Sequence, residues 1–152
     1  YLRFTNNCGE VLPRWVGIAE VTINPVDPVV TISGIKGVYS GEYKDMFDRN
    51  VETYVWFDDF PDTDAYILVD FVKPRTTKKL EIIYQNAHPT SPAFMPLMEY
   101  SLDGVTYYKL GETESNIFTY SGEEVTFRYL KMSNDWGTPL THWASIADIN
   151  FN

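Results

Sequence analysis

The sequence predicts an all-β fold, an antiparallel sandwich. Three observations support this prediction: 16% of the residues are aromatic at 44% hydrophobic content, no stretch longer than about ten residues carries a helical period, and short alternating or β-branched runs recur. Aromatic and β-branched side chains suit a pleated, half-buried surface. At 152 residues the chain can form one ordinary domain with a buried core.

The predicted strands are bounded by turn residues, and the prolines lie mostly between them, where a missing amide costs no ladder bond. In chain order the strands are Val29–Ser33, Ala65–Phe71, Lys79–Tyr84, Leu97–Leu102, Thr106–Leu110, Asn116–Tyr120, Val125–Met132 and Ala144–Phe151. The sharpest turn signal is Asp103-Gly104, because this dipeptide supplies the positive φ values of a two-residue hairpin turn.

The charge of the chain excludes several functional classes. Twelve Lys and Arg against 21 Asp and Glu give a net charge of -9, which is the wrong sign for a phosphate backbone or an anionic lipid surface. No apolar run approaches the roughly 20 residues of a membrane helix, so we expect neither binding of nucleic acid nor insertion into a membrane.

One cysteine, Cys8, excludes an internal disulfide and a thiolate zinc cluster. No signal peptide is visible at Tyr1, so any export signal would lie outside this fragment.

An internal repeat predicts the domain organisation. Residues 1–24 align without gaps on residues 129–152, and nine of the 24 positions are identical, including Trp15 with Trp143. The simplest interpretation is that residues 1–24 are the C-terminal tail of a preceding homologous module or linker and that residues 25–152 are one complete module. Pro25–Pro28 then reads as a short stiff linker. The alternative is a coincidental similarity of two edge hairpins.

A short acidic segment predicts a calcium site. Asp48, Asn50 and Thr53 gather oxygen ligands within one expected turn, and Ca²⁺ takes hard oxygen ligands from such loops. A turn whose Asx side chains satisfy their own backbone explains the pattern equally well.

The chain resembles the discoidin, or coagulation-factor C-type, domain, and most closely its carbohydrate-binding branch, carbohydrate-binding module family 32. The resemblance covers about Val29 to Phe151 and is carried, in order, by Asp48-x-Asn50-x-x-Thr53, Trp56, Tyr66–Phe71, Leu97–Gly104, Arg128–Lys131 and Trp143–Ile149. It implies a jelly-roll sandwich that binds sugar without catalysis. The Thr-x-x-Trp variant looks most like modules of secreted bacterial N-acetylhexosaminidases and hyaluronidases of the clostridial mu-toxin type. The resemblance therefore implies an extracellular, monomeric module in a tandem array of a glycoside hydrolase.

The resemblance also implies a structural Ca²⁺ that stiffens the binding loops. Carried over position by position, its ligands are the side chains of Asp48, Asn50, Thr53 and Asp148 and the carbonyls of Asp45 and Ala147. The alternative is that Asp148 is an ordinary solvent-exposed carboxylate on a strand, with no metal to bind.

Sugar recognition needs an aromatic face and several polar groups, and in this family they stand on loops at the calcium end. Four segments qualify: Tyr39–Lys44, Phe57–Asp62, Tyr84–Phe94 and Asn134–His142. Trp136 is the candidate stacking platform, with rim packing as the alternative. Its counterpart in the repeat is Cys8, and a loop position that differs between two copies is expected where the copies are tuned to their ligands. We expect Trp143 and Trp56 to be core residues.

The loops depart from the galactose-binding pattern of the family. Phe57 stands where those members have a His, and the loop from Tyr84 to Pro92 contains no Arg. A terminal N-acetylglucosamine fits at least as well as galactose or N-acetylgalactosamine. Asn86 and His88 are candidate hydrogen-bonding groups, and Asp58 and Glu42 are candidate acceptors, although each also reads as a solvated loop residue.

Two other functional classes remain open. A hydrolase would need a carboxylate pair such as Glu42 with Asp58 across a cleft of roughly 5 to 9.5 Å, and no other catalytic motif appears. A protein- or lipid-binding discoidin-type adhesion module would present apolar or basic loop tips, whereas these loops mix acids with Phe60, Phe94 and Trp136.

Overall fold

A computed structural model describes residues 27–58, 63–85, 95–134 and 144–151. It has one 3₁₀ helix, Tyr43–Phe47, and the strands β1 Val29–Ser33, β2 Gly37–Ser40, β3 Val55–Asp58, β4 Tyr66–Tyr84, β5 Leu97–Ser101, β6 Tyr108–Glu112, β7 Ile117–Ser133 and β8 Ala144–Phe151. All strand pairs are antiparallel, which confirms the predicted fold class. Within the described ranges no helix is long and apolar enough to cross a membrane.

Two long strands connect the layers of the sandwich. The hydrogen-bonded order is β2-β3-β8-β4-β7-β5-β6, and β1 also pairs with β4. The first part of β4 pairs with β1 and with the end of β7, whereas its last part pairs with β8 and with the start of β7. Register shifts between Asp70 and Arg75 and between Thr77 and Lys79 mark the bend. One layer therefore contains β1, β5 and β6, and the other contains β2, β3 and β8.

The core lies between these layers. Side chains from both are fully buried in one hydrophobic cluster, among them Val55, Phe57, Ile82 and Ile146 from one layer and Ile67, Val69, Met98, Leu130 and Met132 from the other. At the bend, the ring of Phe71 meets those of Phe127 and Phe151 edge to face, at centroid distances of 5.7 and 5.2 Å. The sandwich follows from this packing of the two layers of one bent, eight-stranded sheet.

An ion pair fixes the bend of β4. Val72 has a φ of 64°, a left-handed conformation that is costly for a β-branched residue. The carboxylate of Asp70 accepts from the Val72 amide at 2.7 Å and, through both oxygens, from the Arg128 guanidinium at 2.7 Å. The hydrogen bond from Arg128 lowers the pKa of Asp70. Asp70 thus ties the strained residue to β7.

We expect Asp70→Ala to lower the free energy of unfolding by about 1–3 kcal/mol, because it removes the Val72 amide's acceptor and leaves Arg128 unpaired. Since the pKa of Asp70 is lowered in the folded state, its contribution is present above the unfolded-state value of about 3.9 and is lost as the pH falls through the folded-state value. Urea denaturation at pH 7 and at acid pH measures both effects. Lys109→Ala, which removes the exposed pair with Glu112, is the matched control and should change stability by less than about 0.5 kcal/mol. Equal effects of the two variants would contradict this role of Asp70.

The β5–β6 connection differs from the prediction. A two-residue turn at Asp103-Gly104 is wrong, because residues 102–107 all lie between the two strands. Oδ1 of Asp103 accepts from the amides of Val105 and Thr106 at 2.8 Å and from the Ser101 hydroxyl at 3.0 Å, and these bonds lower the pKa of Asp103 to about 2. Gly104 has a φ of 77°, so the predicted positive φ is confirmed at this residue. The carboxylate organises a longer loop around it.

Candidate functional site

Three connections begin and end at the same end of the sandwich. Phe57 pairs with Ala144, which places the end of β3 beside the start of β8. The amide of Gln85, directly after β4, donates to the Ser145 carbonyl at 2.9 Å. The amide of Asn134, directly after β7, donates to the Ala65 carbonyl at 3.0 Å. The Tyr84 hydroxyl donates to the Met95 carbonyl at 3.3 Å, and Leu97 pairs with Ser133, which joins these two groups of strand ends. The described residues that flank segments 59–62, 86–94 and 135–143 therefore lie at one edge. We call this edge the loop end, defined by Asp58, Ala65, Gln85, Asn134 and Ala144.

Several predicted residues fall in those segments. Trp136, Asn86 and His88 lie outside the described residues, as do Trp143 and residues 1–26. Their assignments, and the division into residues 1–24 and 25–152, stay predictions. What the structure shows is that the strands on either side of Asn86, His88 and Trp136 end at one place.

The structure corrects the assignment of Phe57. Its side chain is fully buried in the core cluster and stacks on the Tyr43 ring at 6.4 Å. A side chain without exposed surface has no face to offer a sugar, so Phe57 is removed from the candidate sugar contacts. It is a core residue.

The structure also corrects the assignment of Trp56. Side chains alternate along a strand, and because Val55 and Phe57 are buried, Trp56 points to the outer face of the sheet. There it is half-buried, with its ring edge-on to those of Tyr39 and Tyr54 at 5.3 and 6.4 Å. We call these three residues the aromatic step. Sequence reasoning missed it, although the apolar residues on both sides of Trp56 were a visible signal for an outward tryptophan.

Glu42 and Asp58 are separated by the strand register. Gly37 pairs with Asp58 and Ser40 with Trp56, so β2 leads away from the loop end by about 7 Å, two residues of β3, before the chain reaches Glu42. Glu42 is exposed and ion-paired to Lys44 at 2.7 Å, and this hydrogen bond lowers its pKa. A general acid of a glycosidase needs a raised pKa. The pairing therefore keeps Asp58 at the loop end and takes Glu42 away from it.

The predicted calcium turn is held by its own hydrogen bonds. The Asp48 carboxylate accepts from the Asn50 amide at 2.9 Å and from the Thr53 hydroxyl at 2.7 Å, and Asn50 Oδ1 accepts from the Glu52 amide at 3.2 Å. Arg49 between them has a φ of 61°. Asp45, in the preceding 3₁₀ helix, accepts from the Glu42 amide at 2.8 Å. The three side-chain ligands predicted here are brought together in one turn.

The fourth side-chain ligand, Asp148, lies in β8 and lines one surface cavity together with Arg49 and Val51 of this turn. The 3₁₀ helix packs on β8, and Arg49 and Asn150 both line two neighbouring surface cavities of about 670 and 430 Å³. Asp148 is only 2% exposed, and its carboxylate accepts from two neutral donors, the Ile149 amide at 3.1 Å and the Asn150 side chain at 2.7 Å. Burial of a carboxylate is costly without a positive partner. The solvated-strand alternative for Asp148 is therefore wrong.

The donor set can be compared with the needs of Ca²⁺. Among the described residues, no group of three or more His, Cys, Asp or Glu lies close enough to hold a metal ion. The predicted set, however, contains only two ligating carboxylates, Asp48 and Asp148. Its other oxygens are the Asn50 amide, the Thr53 hydroxyl and the carbonyls of Asp45 and Ala147. All are hard oxygen ligands, the kind that Ca²⁺ prefers, so the donor types fit this ion.

Comparison with solved structures identifies the fold. The chain superposes on a family 32 carbohydrate-binding module of a family 31 glycoside hydrolase from Clostridium perfringens, with a TM-score of 0.62 and 18% identity over 82% of this chain and 93% of that one. The C-terminal domain of a chitobiase from Bacteroides fragilis gives 0.63 and 17% over 86% and 95%. The chain has the discoidin-like fold of the family 32 carbohydrate-binding modules.

A third match is the family 32 module of NanJ from C. perfringens, solved with galactose, with a TM-score of 0.58 and 16% identity over 82% of this chain and 92% of that one. No protein-family model and no curated protein matches the chain by sequence. The expectation that the sugar-binding loops stand at the calcium end is wrong for the described residues, because the two candidate sites lie at opposite ends of β3 and the calcium turn lines a cavity with Phe71 and Arg75 of the β4 bend. Thr53 of the calcium turn lies two residues before β3, and Asp58 at the loop end is its last residue.

Proposed function

We propose that the chain is a non-catalytic carbohydrate-binding module whose sugar site lies at the loop end. The convergence of the strand ends around segments 59–62, 86–94 and 135–143 carries this proposal. The described residues that flank the segments containing Trp136, Asn86 and His88 lie at the same end as Asp58. The family 32 fold supports it, because solved modules with this fold are named as carbohydrate-binding.

Each candidate group has a defined role in the proposed site. Trp136 stacks on the apolar face of a pyranose ring, since an aromatic face suits CH groups. Asn86, His88 and Asp58 hydrogen-bond its hydroxyl or acetamido groups. The preferred ligand is a terminal N-acetylglucosamine, with galactose or N-acetylgalactosamine as the second candidate.

The module's role is to bring a secreted, multidomain glycoside hydrolase to glycans that carry this terminal sugar. The structural neighbours that come from glycoside hydrolases support the association. A shallow single site buries little area and binds weakly, and tandem copies would raise the overall affinity through effective concentration.

The test of this function is calorimetric titration of the chain with N-acetylglucosamine, N-acetylgalactosamine, galactose and glucose. We expect N-acetylglucosamine to bind most tightly and glucose, which lacks the acetamido group, to bind at least about 10-fold more weakly. Absence of heat with all four sugars, on a protein shown to be folded by its circular dichroism spectrum, would contradict the function.

We also propose a structural Ca²⁺ held by Asp48, Asn50, Thr53 and Asp148 with the carbonyls of Asp45 and Ala147. The Asp148 carboxylate is buried and both of its donors among the described residues are neutral, which supports this proposal. Bound there, the cation would offset that buried charge and hold the turn against β8. Because Thr53 leads into β3, the ion would also steady the strand that ends at Asp58.

Calcium should therefore stabilise the fold. At 100 times its dissociation constant we expect Ca²⁺ to add about 2.7 kcal/mol to the free energy of unfolding, measured as a rise in the urea midpoint relative to a chelator-treated sample. Asp148→Asn should remove this increment, because an amide replaces the carboxylate ligand. Asp103→Asn, at the other carboxylate-centred loop, should retain it. Identical midpoints with calcium and with chelator would contradict the site.

A further inference from the structure

The aromatic step begins with a β-bulge at Tyr39. Val38 pairs with Phe57 and Ser40 with Trp56, which leaves Tyr39 as the extra residue of β2. Bulges redirect a side chain and are frequent beside functional sites. Tyr39 is 64% exposed, the highest value for an aromatic side chain within the described ranges. The strand therefore turns a tyrosine out to solvent where regular pairing would have continued.

The rings of the aromatic step stand nearly at right angles. Tyr39 meets Trp56 with an interplanar angle of 73°, and Tyr54 meets Trp56 with an angle of 63°. Gly41, directly after β2, lets the chain pass close to the backbone of Tyr54, because a Cβ at Gly41 would lie 2.1 Å from the Tyr54 carbonyl oxygen. The arrangement presents one aromatic face with a second ring as its wall, which suits the apolar face of a sugar ring.

The aromatic step is continuous with the loop end. Trp56 and Asp58 are two residues apart in β3, so their side chains lie on the same face about 7 Å apart. This spacing is comparable to one sugar ring with its linkage. Asp58 can accept hydrogen bonds from hydroxyl groups, and its negative charge disfavours acidic sugars.

From this juxtaposition we propose that Tyr39, Trp56 and Asp58 form a second subsite, which takes the sugar residue next to the terminal one. The ligand is then a neutral oligosaccharide of at least two residues. This inference rests on the proposed function, because the terminal residue occupies the site at the loop end. Tyr39 supplies the stacking face and Trp56 the wall, and Asp58, which borders both subsites, is an acceptor shared with the terminal residue.

The test compares each monosaccharide with an oligosaccharide that ends in it. Calorimetry measures N-acetylglucosamine against chitotriose and galactose against lactose, for wild type and Tyr39→Ala. We expect the wild type to bind the oligosaccharide of its preferred pair about 10-fold more tightly than the monosaccharide, the contribution of one well-placed aromatic contact. In Tyr39→Ala this ratio should fall to about 2 or less.

Two controls make the outcome specific. Tyr108→Ala removes another exposed tyrosine, 57% exposed in β6 of the other layer, and should keep the ratio. Tyr39→Phe retains the aromatic ring and should keep most of the ratio of oligosaccharide to monosaccharide affinity. If the wild type binds a monosaccharide but Tyr39→Ala leaves the ratio unchanged, the second subsite is wrong and the loop-end site stands. If the wild type binds neither monosaccharide and neither oligosaccharide of the two pairs, the proposed function fails and this inference fails with it.

Discussion

Phe57→Ala is expected to lower the free energy of unfolding by about 3–5 kcal/mol, the usual cost of removing a fully buried phenylalanine. The side chain has no exposed surface and belongs to the core cluster, and its ring stacks on that of Tyr43, which is partly exposed. Urea denaturation at pH 7 measures the loss. The milder Phe57→Leu keeps most of the volume and should cost less than about 1.5 kcal/mol.

The leucine variant separates packing from recognition. Because it stays folded, its sugar affinity can be measured, and we expect the affinity to equal that of the wild type. Loss of binding in Phe57→Leu with an unchanged urea midpoint would contradict the core assignment and restore Phe57 as a ligand contact.

The second large effect concerns binding. Trp136→Ala should weaken monosaccharide binding by about 30-fold or more, the factor that corresponds to the roughly 2 kcal/mol or more of an aromatic hot spot. The physical reason is the loss of the stacking face on which the proposed site depends. Calorimetric titration measures the change, and Trp136→Phe, which keeps a smaller face, should retain part of the affinity.

Stability measurements decide between recognition and rim packing for Trp136. If its indole only packs at the rim, Trp136→Ala will lower the urea midpoint and leave the affinity unchanged. If it is the stacking platform, the affinity falls and the midpoint changes little. Tyr108→Ala, in β6, is the control that should alter neither.

Most of the fold was predictable because its strands carry period-two patterns. β1 and β8 have the predicted bounds, whereas β4 and β7 each join two predicted strands. The polar stretch in β4 that reads as a break is instead the bend, where pairing with β7 resumes after a register shift. The four-residue strands β2 and β3 were not predicted, since runs of four residues are too short to show a clear period.

The site was less predictable, because it depends on which face of β3 is buried. The apolar residues on both sides of Trp56 favour an outward tryptophan, but a run of four residues is too short to be recognised as a strand, and only the structure shows that it pairs with β8. The same register buries Phe57 and exposes the opposite side. The bulge at Tyr39 has no sequence pattern of its own, so the aromatic step required the structure. The loop-end residues and the calcium ligands, by contrast, came from the family resemblance rather than from spacing alone.

The central claim is that sugar binds at the loop end. An amide NMR titration of the labelled chain with N-acetylglucosamine tests it most directly, because each described residue reports its own position. We predict that the amides of Asp58, Gln85, Asn134 and Ala144 shift with one common dissociation constant, while those of the β4 bend, such as Lys73, do not. Saturable shifts confined to the β4 bend, or no shifts with N-acetylglucosamine, galactose or N-acetylgalactosamine, would contradict the account.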